Sequence, residues 1–359
     1  RIKVTQSRMR IRSALDLATH LFFQNNGYLR LHTPVITGND CEGAGEVFEV
    51  KSDARWKMSY ERIKQQQSNE VQEAIVETLE NETNADQENT DQQQSKEELQ
   101  SMIEKLNQTD QVLDKLSKEE REKLEEKRKF FGKTAFLTVS GQLDAESYAC
   151  GMGKVYTFGP TFRAENSVTY RHLAEFWMIE PEMAFMDIHE DMEVAQAYVQ
   201  FCLTYVLDNF RSDLEFLEKS QDTESALGLV ARLESIVKSD FPRVTYTKAI
   251  ELLKAEVANK GLDIFENPEI EWGMDMASEH EKHLVKHCFN DQPIIVYQYP
   301  SAMKAFYMHE NEPDEEGHQT VAAMDMLVPG IGELIGGSQR EVRMDVLLKK
   351  MSDANLNPS

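Results

Sequence analysis

Two arginines eight residues apart, Arg163 and Arg171, stand in the run Phe162-Arg163-Ala164-Glu165-Asn166-Ser167-Val168-Thr169-Tyr170-Arg171-His172-Leu173-Ala174-Glu175-Phe176. A guanidinium is permanently charged and presents a planar fork of donors. Two of them on strands joined by a loop could therefore grip one polyphosphate. A flat Phe176 could stack a base. The same residues also suit a second reading, a structural network of ion pairs between strands. The flanking segments read as buried strands, which argues against a solvated salt-bridge face and leaves those two readings open.

Three other groupings attract attention. His280, His283 and His287 fall on one helical face, as metal ligands would, but Glu279, Glu281, Lys282 and Lys286 interleave them and favour a solvated amphipathic face. The segment 330–337 is rich in glycine yet lacks the strand-to-helix setting of a dinucleotide loop. Cys41-Glu42-Gly43-Ala44-Gly45-Glu46 has the freedom of a mobile loop, though such a stretch is more often a plain turn.

These side chains need elements to hold them. Ile11, Leu15, Ala18 and Phe22 recur at a helical period, predicting a helix over 7–26 that Asn26-Gly27 would stop. A strand is expected over 28–31, running into Pro34. Further short strands are expected over 136–139, 155–158, 176–179, 294–297, 305–308, 321–327 and 334–335. Met192, Ala195, Val199, Leu203, Val206 and Phe210 mark the buried face of a helix, and 212–290 reads as mainly helical. Short strands joined by turns, with helices in blocks, predict an α+β fold: an antiparallel sheet flanked by helices.

The 359 residues carry 39 bases against 63 acids, a formal net charge of −24, and are 40% hydrophobic. That fraction can fill a substantial core. The acid excess speaks against unspecific attachment to nucleic acid or anionic membrane, while leaving room for a local basic site. No run approaches ~18 uninterrupted apolar residues, so no membrane span is expected. The first residues show no signal-peptide core. Cys41, Cys150, Cys202 and Cys288 lie far apart without a CxxC pair, which fits reduced thiols in a cytoplasmic protein.

Between 61 and 129 the composition shifts: there is no Gly, Pro, Cys or Trp, glutamines come in runs, and 19 acids face 11 bases. A structureless loop of that size does not suit a compact domain. The chain therefore reads as three parts. Residues 1–60 begin a catalytic domain, 61–129 form an acidic insertion, disordered at first and weakly helical from about Ser95, and 130–359 complete the domain. Leu99, Ile103, Leu106, Leu113 and Leu116 make a thin stripe that suits a solvated helix better than a coiled coil.

The run 162–176, continued to Glu180 and Glu182, resembles motif 2 of the class II aminoacyl-tRNA synthetases, in the aspartyl/asparaginyl/lysyl subgroup and in detail its asparaginyl branch. Arg30-Leu31-His32-Thr33-Pro34 resembles motif 1, and Gly332-Glu333-Leu334-Ile335-Gly336-Gly337-Ser338-Gln339-Arg340-Glu341 resembles the metal and side-chain segment. Only the acidic insertion falls outside the likeness. The resemblance implies a class II catalytic fold, ATP-dependent activation of asparagine, transfer to tRNA(Asn), a cytoplasmic protein with an organellar form left open, and a homodimer through the motif 1 region around Pro34.

The resemblance also assigns roles. Arg163 would hold the α-phosphate of ATP and the substrate carboxylate; Glu165 would contact ATP or the terminal adenosine of tRNA. Arg171 and His172, with Leu173 beside them, would hold the γ-phosphate end of a bent ATP, and Phe176 would stack on adenine. Glu333 would bind Mg²⁺ with Asp325 as second carboxylate. Gly336 stands where some relatives have a serine ligand. Glu42, on a mobile loop, would read the substrate ammonium group. Gln142 would lie beside it on a strand lining the pocket, Glu180 would add an acceptor, and Arg340 would reach the side-chain carbonyl. Met303, Lys304, Phe306, Tyr307 and Met308 resemble a strand near the substrate, where Lys304 or Tyr307 would touch ligand or pack in the core.

Ala145 carries the specificity argument. Aspartyl enzymes are expected to place a lysine there, and without it a desolvated aspartate would lack its counter-charge, whereas neutral asparagine would not. An aspartyl-tRNA ligase, an asparagine synthetase-like enzyme and a non-catalytic paralogue of the same fold remain the competing readings. The resemblance further implies an anticodon-binding barrel before Arg1 and a Gly-rich motif 3 after Ser359; no segment of this sequence matches either.

Overall fold

The computed structural model describes residues 2–38, 47–84, 116–165, 173–220, 228–314 and 316–356. In chain order the elements are α1 (Ile2–Asn25), β1 (Leu29–Leu31), β2 (Ile36–Thr37), α2 (Asp53–Asn84), α3 (Lys118–Glu126), β3 (Phe136–Leu137), α4 (Gln142–Met152), β4 (Lys154–Phe162), β5 (Glu175–Met183), α5 (Ile188–Ser220), α6 (Leu229–Lys238), β6 (Arg243–Thr245), α7 (Tyr246–Lys260), α8 (Ser278–His283), β7 (Ile294–Pro300), β8 (Thr320–Val328), β9 (Gly332–Ser338) and α9 (Met344–Asp353). They fall into two units, one of Arg1–Leu31, Glu146–Tyr156 and Pro181–Ser359, the other of His32–Ala145 and Thr157–Glu180.

The first unit is built on a four-stranded sheet in the order β6-β7-β8-β9. β7, β8 and β9 are antiparallel, as expected, while β6 joins β7 in parallel. β8 reads Thr-Val-Ala-Ala-Met-Asp-Met-Leu-Val and is buried at every position but Asp325. Its two faces feed two cores, because successive side chains of a strand point to opposite sides. Val321, Ala323 and Leu327 pack with Tyr246, Ile250, Leu253 and Leu284 on one side; Ala322, Met324 and Met326 pack with Ile188, Met192 and Val199 of α5 on the other. An aspartate in the middle of such a strand costs stability unless something uses it.

α5 starts where Asp187 caps it. The Asp187 carboxylate accepts from the amides of His189 (2.8 Å) and Glu190 (3.0 Å), while Glu190 reaches back to the Asp187 amide at 2.9 Å. The reciprocal bonds satisfy donors that a helix start otherwise leaves open. Ala14 and Ala18 of α1 are buried, and Ala14 packs with Val206, Leu207 and Leu214 of α5. α1 stops as its sequence predicts: Gly27 takes φ +80° and the Tyr28 amide donates to the Phe23 carbonyl at 2.9 Å.

In the second unit β2 pairs with β3 antiparallel. The segments at 49–52 and 128–136 run alongside each other, through bridges between Glu49 and Phe136 and between Lys51 and Lys129. α2 springs from this base and α3 returns to it. Ser117 and Glu120 form a capping box at the start of α3. β4 and β5 also pair.

Three expectations change, and a fourth falls mostly outside the described residues. Residues 61–84 are helical, not disordered, and α2 runs through the expected boundary at 60 and 61. Residues 99–113 of the leucine stripe lie outside the described residues; Leu116 is buried. The segment with Gln142 and Ala145 is the start of helix α4, not a strand, because no β-branched run follows Gly141 and the 142–152 stretch is rich in helix formers. Residues 305–308 form no strand: a short 3₁₀ turn, Ser301–Met303, ends β7, and only Met308 bridges to Arg340. Among the described residues no helix is long and apolar enough to cross a membrane.

Candidate active site

In the second unit, the Glu180 carboxylate on β5 collects three donors. The Ser140 hydroxyl donates to one oxygen; the Gly141 amide (3.0 Å) and the Thr157 hydroxyl (2.9 Å) donate to the other. A carboxylate offers about four acceptor sites, so most of Glu180 is spent on holding this turn. The turn is tight: a Cβ on Gly141 would stand 2.7 Å from Thr33 Oγ1. The Gln142 amide donates to the Ser140 hydroxyl at 3.1 Å, and the Ala145 amide donates to the Gly141 carbonyl at 3.0 Å. Ala145 itself is fully buried.

Arg163 follows β4, and its amide donates to the Ala174 carbonyl at 3.1 Å, which fixes the two ends of the intervening loop. Its guanidinium lies 5.4 Å from the centre of the Phe176 ring. Glu165 is 3.9 Å away, at the outer limit of an ion pair, and Met178 Sδ is 3.9 Å from Nη2. The Arg163 Nε is buried with no hydrogen-bond partner. A cation so weakly satisfied is suited to an anionic ligand, since a buried donor without an acceptor costs about 1–3 kcal/mol. Leu173 is exposed. Glu42, Arg171 and His172 lie outside the described residues.

The first unit holds a second group of charges. A cavity of 390 Å³ is lined by Asp275, Glu281, Tyr299, Lys304, Asp325 and Glu333, with Gly273, Met276 and Met303. Among these described residues Lys304 is the only cation; its Nζ donates to Asp325 at 3.0 Å and sits 4.0 Å from the Tyr299 ring centre. The Glu333 amide donates to Glu281 at 3.2 Å. Crowding by protein atoms, then the neighbouring Asp325 and Glu281, push the Glu333 carboxyl up to about 7. Burial, and Asp325 beside it, push the Tyr299 hydroxyl well above its ordinary range. Gly336 leaves a notch: a Cβ there would lie 3.2 Å from both Asp325 Oδ1 and Glu333 Oε1.

Arg340 follows β9. Its guanidinium stands 3.3 Å from Glu146, 4.0 Å from Glu182 and 4.3 Å from the centre of the Tyr307 ring. The next residue anchors that geometry. Glu341 is buried and accepts from Arg343 Nε (2.9 Å), Arg343 Nη2 (2.7 Å) and the Glu310 amide (3.0 Å), which hold its carboxyl well below the usual carboxylate range.

The structure thus brings Asp325, Glu333, Gly336 and Lys304 together in one unit; in the other, Gln142 and Glu180 meet at the Ser140–Gly141 turn, and Arg163 meets Glu165 and Phe176. Sequence reasoning overlooked Asp275, Glu281 and Tyr299; the only linear hint was Glu281 within the histidine run. That run is a solvated face only at its end, where Lys286 and His287 are exposed. His280 is fully buried, accepting from the Ala277 amide at 3.1 Å and bonding the Asn267 carbonyl at 3.0 Å, and His283 meets Glu256 at 2.7 Å.

The family model for tRNA synthetases class II (D, K and N) matches residues 115–359. An Arabidopsis thaliana protein named asparagine–tRNA ligase, cytoplasmic 3, is 46% identical over 97% of this chain and 61% of its own length. An asparagine–tRNA ligase of Protochlamydia amoebophila is 43% identical over 97% of this chain and 59% of its own. The chain thus spans about three fifths of the length of the curated relatives it matches. The crystal structure of asparaginyl-tRNA synthetase from Pyrococcus horikoshii, complexed with asparaginyl-adenylate, superimposes with a TM-score of 0.65 at 26% identity, covering 99% of this chain and 58% of that one. With more than half of its residues matched by that family model, and with the fold to go with it, the chain belongs to the class II tRNA synthetases of the D, K and N group.

Proposed function

We propose that the chain is the catalytic part of an asparagine–tRNA ligase, which activates asparagine with ATP to asparaginyl-adenylate and passes it to tRNA(Asn). The observation that carries this reading is Arg163, a guanidinium beside an aromatic face with its Nε buried and unpartnered. An adenylate needs that combination, a fixed cation for the α-phosphate and a flat surface for the base. The names of the relatives supply the amino acid and the tRNA.

No nucleophilic side chain is required. The substrate carboxylate is already an anion, and its attack on the α-phosphorus in line needs positioning and charge neutralisation. Arg163 would meet the charge that builds on the α-phosphate, and Arg171 and His172 would hold the γ-phosphate end. Glu180 would set the shape of the amino-acid pocket through the Ser140–Gly141 turn, with Gln142, Glu42 and Arg340 reading the substrate. Ala145 offers no surface to a ligand, so its part in choosing asparagine is to leave the pocket without the lysine that an aspartate would need.

Mg²⁺ fits the first unit. Asp325 and Glu333 are hard oxygen donors, and a divalent cation would offset the burial and the neighbouring Asp325 and Glu281 that together raise Glu333. Among the described residues no three His, Cys, Asp or Glu side chains converge to hold a metal alone. Magnesium is typically held by one or two carboxylates with phosphates and water completing its shell, and the notch at Gly336 leaves space beside both carboxylates. Bound there, the ion would neutralise phosphate charge. A cytoplasmic homodimer through the exposed segment around Pro34 completes the proposal.

Asparagine-dependent ATP–pyrophosphate exchange on the complete gene product tests it. Arg163→Ala is expected to lose exchange by about 10²–10³-fold, as for removal of one transition-state donor. Exchange driven by aspartate and not by asparagine would overturn the substrate assignment, and wild-type exchange in Arg163→Ala would overturn the phosphate role.

A further inference from the structure

Helix α2 divides its charges unevenly along its length. Its first twelve residues contain Arg55, Lys57, Arg62 and Lys64 against Asp53 and Glu61, whereas 65–84 contain five glutamates and no base. The positive end of a helix dipole lies at the N-terminus and its effect fades within a turn, so Arg55 at the start is disfavoured by a few tenths of a kcal/mol, while Asp53 in the first turn is favoured. This order gathers every cation of α2 into its first twelve residues.

The segment packed against that basic start is basic as well. Arg128 lies 4.6 Å over the Trp56 ring, Trp56 stacks on Tyr60 at 5.1 Å, and the Ser52 amide donates to the Arg128 carbonyl at 2.8 Å, so the foot of α2 and residues 127–133 form one fixed surface. Most carboxylates at this foot are engaged; Glu61, two turns along α2, is exposed and outside these pairs. Asp53 and Glu125 lie within 3.4 Å and 3.2 Å of Arg128, Glu126 within 2.6 Å of Lys129, and Glu49 within 2.9 Å of Lys51. Arg55, Lys57, Lys127 and Lys133 are exposed and have no ion-pair partner among the described residues. Beside them Phe130 and Phe131, packed edge to face at 4.8 Å, are 49% and 58% exposed.

From this surface we infer that the foot of α2 and the 127–133 segment dock RNA, phosphates against the four cations and an unpaired base on Phe130 or Phe131. The aromatic pair is the reason to choose RNA over an acidic polypeptide: stacking on an exposed ring beside a cation is how nucleic acid binds, whereas an acidic chain would gain only the charge. A net charge of −24 over the whole chain would confine RNA to such a patch. The inference rests on the ligase reading for the identity of the RNA, and its test is separable from that reading.

The complete protein is titrated with a tRNA(Asn) transcript over a range of salt, with poly-glutamate as competitor, and pyrophosphate exchange is measured without tRNA. Lys127→Gln with Lys133→Gln is expected to flatten the slope of log affinity against log salt by about one for each phosphate no longer neutralised. Phe130→Ala with Phe131→Ala is expected to weaken binding about 10-fold at constant slope. Exchange without tRNA should stay at the wild-type level in both. Unchanged tRNA affinity and slope in both folded variants would overturn the inference, as would loss of poly-glutamate binding with tRNA binding intact. Absence of exchange in the parent protein would instead count against the ligase reading, leaving the RNA measurement interpretable.

Discussion

The Glu333 amide donates to the Glu281 carboxylate across 3.2 Å and 52 residues of sequence, so a second anion is fixed beside the carboxyl proposed to hold the metal. The Glu333 carboxyl is raised to about 7, first by crowding and then by Asp325 and Glu281. A raised carboxyl binds a proton in the folded state that the unfolded chain has released. Without metal, stability therefore declines as pH rises from about 4.5 to about 7. The proton competes with the cation, so half-saturating Mg²⁺ in the exchange assay should climb as pH falls below 7. Glu281→Gln removes one neighbouring charge and should move that transition to lower pH, which Mg²⁺ titrations between pH 6 and 8 would show.

Asp191 and Gly337 offer a cleaner stability test. Burial pushes Asp191 up to about 6, and a Cβ on Gly337 would come within 2.5 Å of its Oδ2 and 2.9 Å of Met324 Cε. The penalty of the ionised, buried Asp191 is absent below pH ~4 and complete above pH ~6, so Asp191→Asn should stabilise the protein by about 1–3 kcal/mol at pH 7–8 and little at pH 4. Gly337→Ala should cost about 1–3 kcal/mol through overpacking. Denaturant midpoints at the two pH values measure both.

The turn at Gly141 should tolerate little. Gly141→Ala forces its Cβ toward Thr33 Oγ1, and a loss of about 1–3 kcal/mol is expected, partly recovered in a Thr33→Ala background. Glu180→Gln keeps the shape but replaces one acceptor oxygen with a donor amide facing the Ser140, Gly141 and Thr157 donors. It should cost about 2–3 kcal/mol and raise the asparagine KM more than it lowers kcat.

The three histidines should separate in urea. His280→Ala removes a fully buried ring together with its bonds to Ala277 and Asn267, and a loss of about 3 kcal/mol is expected. His287, exposed, should change stability by less than about 0.5 kcal/mol when replaced by alanine. Equal effects at both positions would contradict the buried placement.

The sequence by itself determined the order and chemical type of the residues around Arg163, Glu180, Glu333 and Arg340, the helix that Gly27 stops and the strands expected at 294–297 and 321–327, which the structure extends to Ile294–Pro300 and Thr320–Val328. Those features depend on side-chain type, on period and on glycine conformations, all of which act within a few residues. It misread the foot of the insertion, where glutamine and charge look like disorder until Trp56, Tyr60 and Arg128 anchor α2 from a distance. It also placed Gln142 and Ala145 on a strand. Only the tertiary structure decided which partners those residues meet: Asp275 and Glu281 beside Glu333, Glu146 and Glu182 beside Arg340, and His280 in the core rather than in water. Those pairings join residues far apart in sequence, and packing and burial, not local propensity, select them.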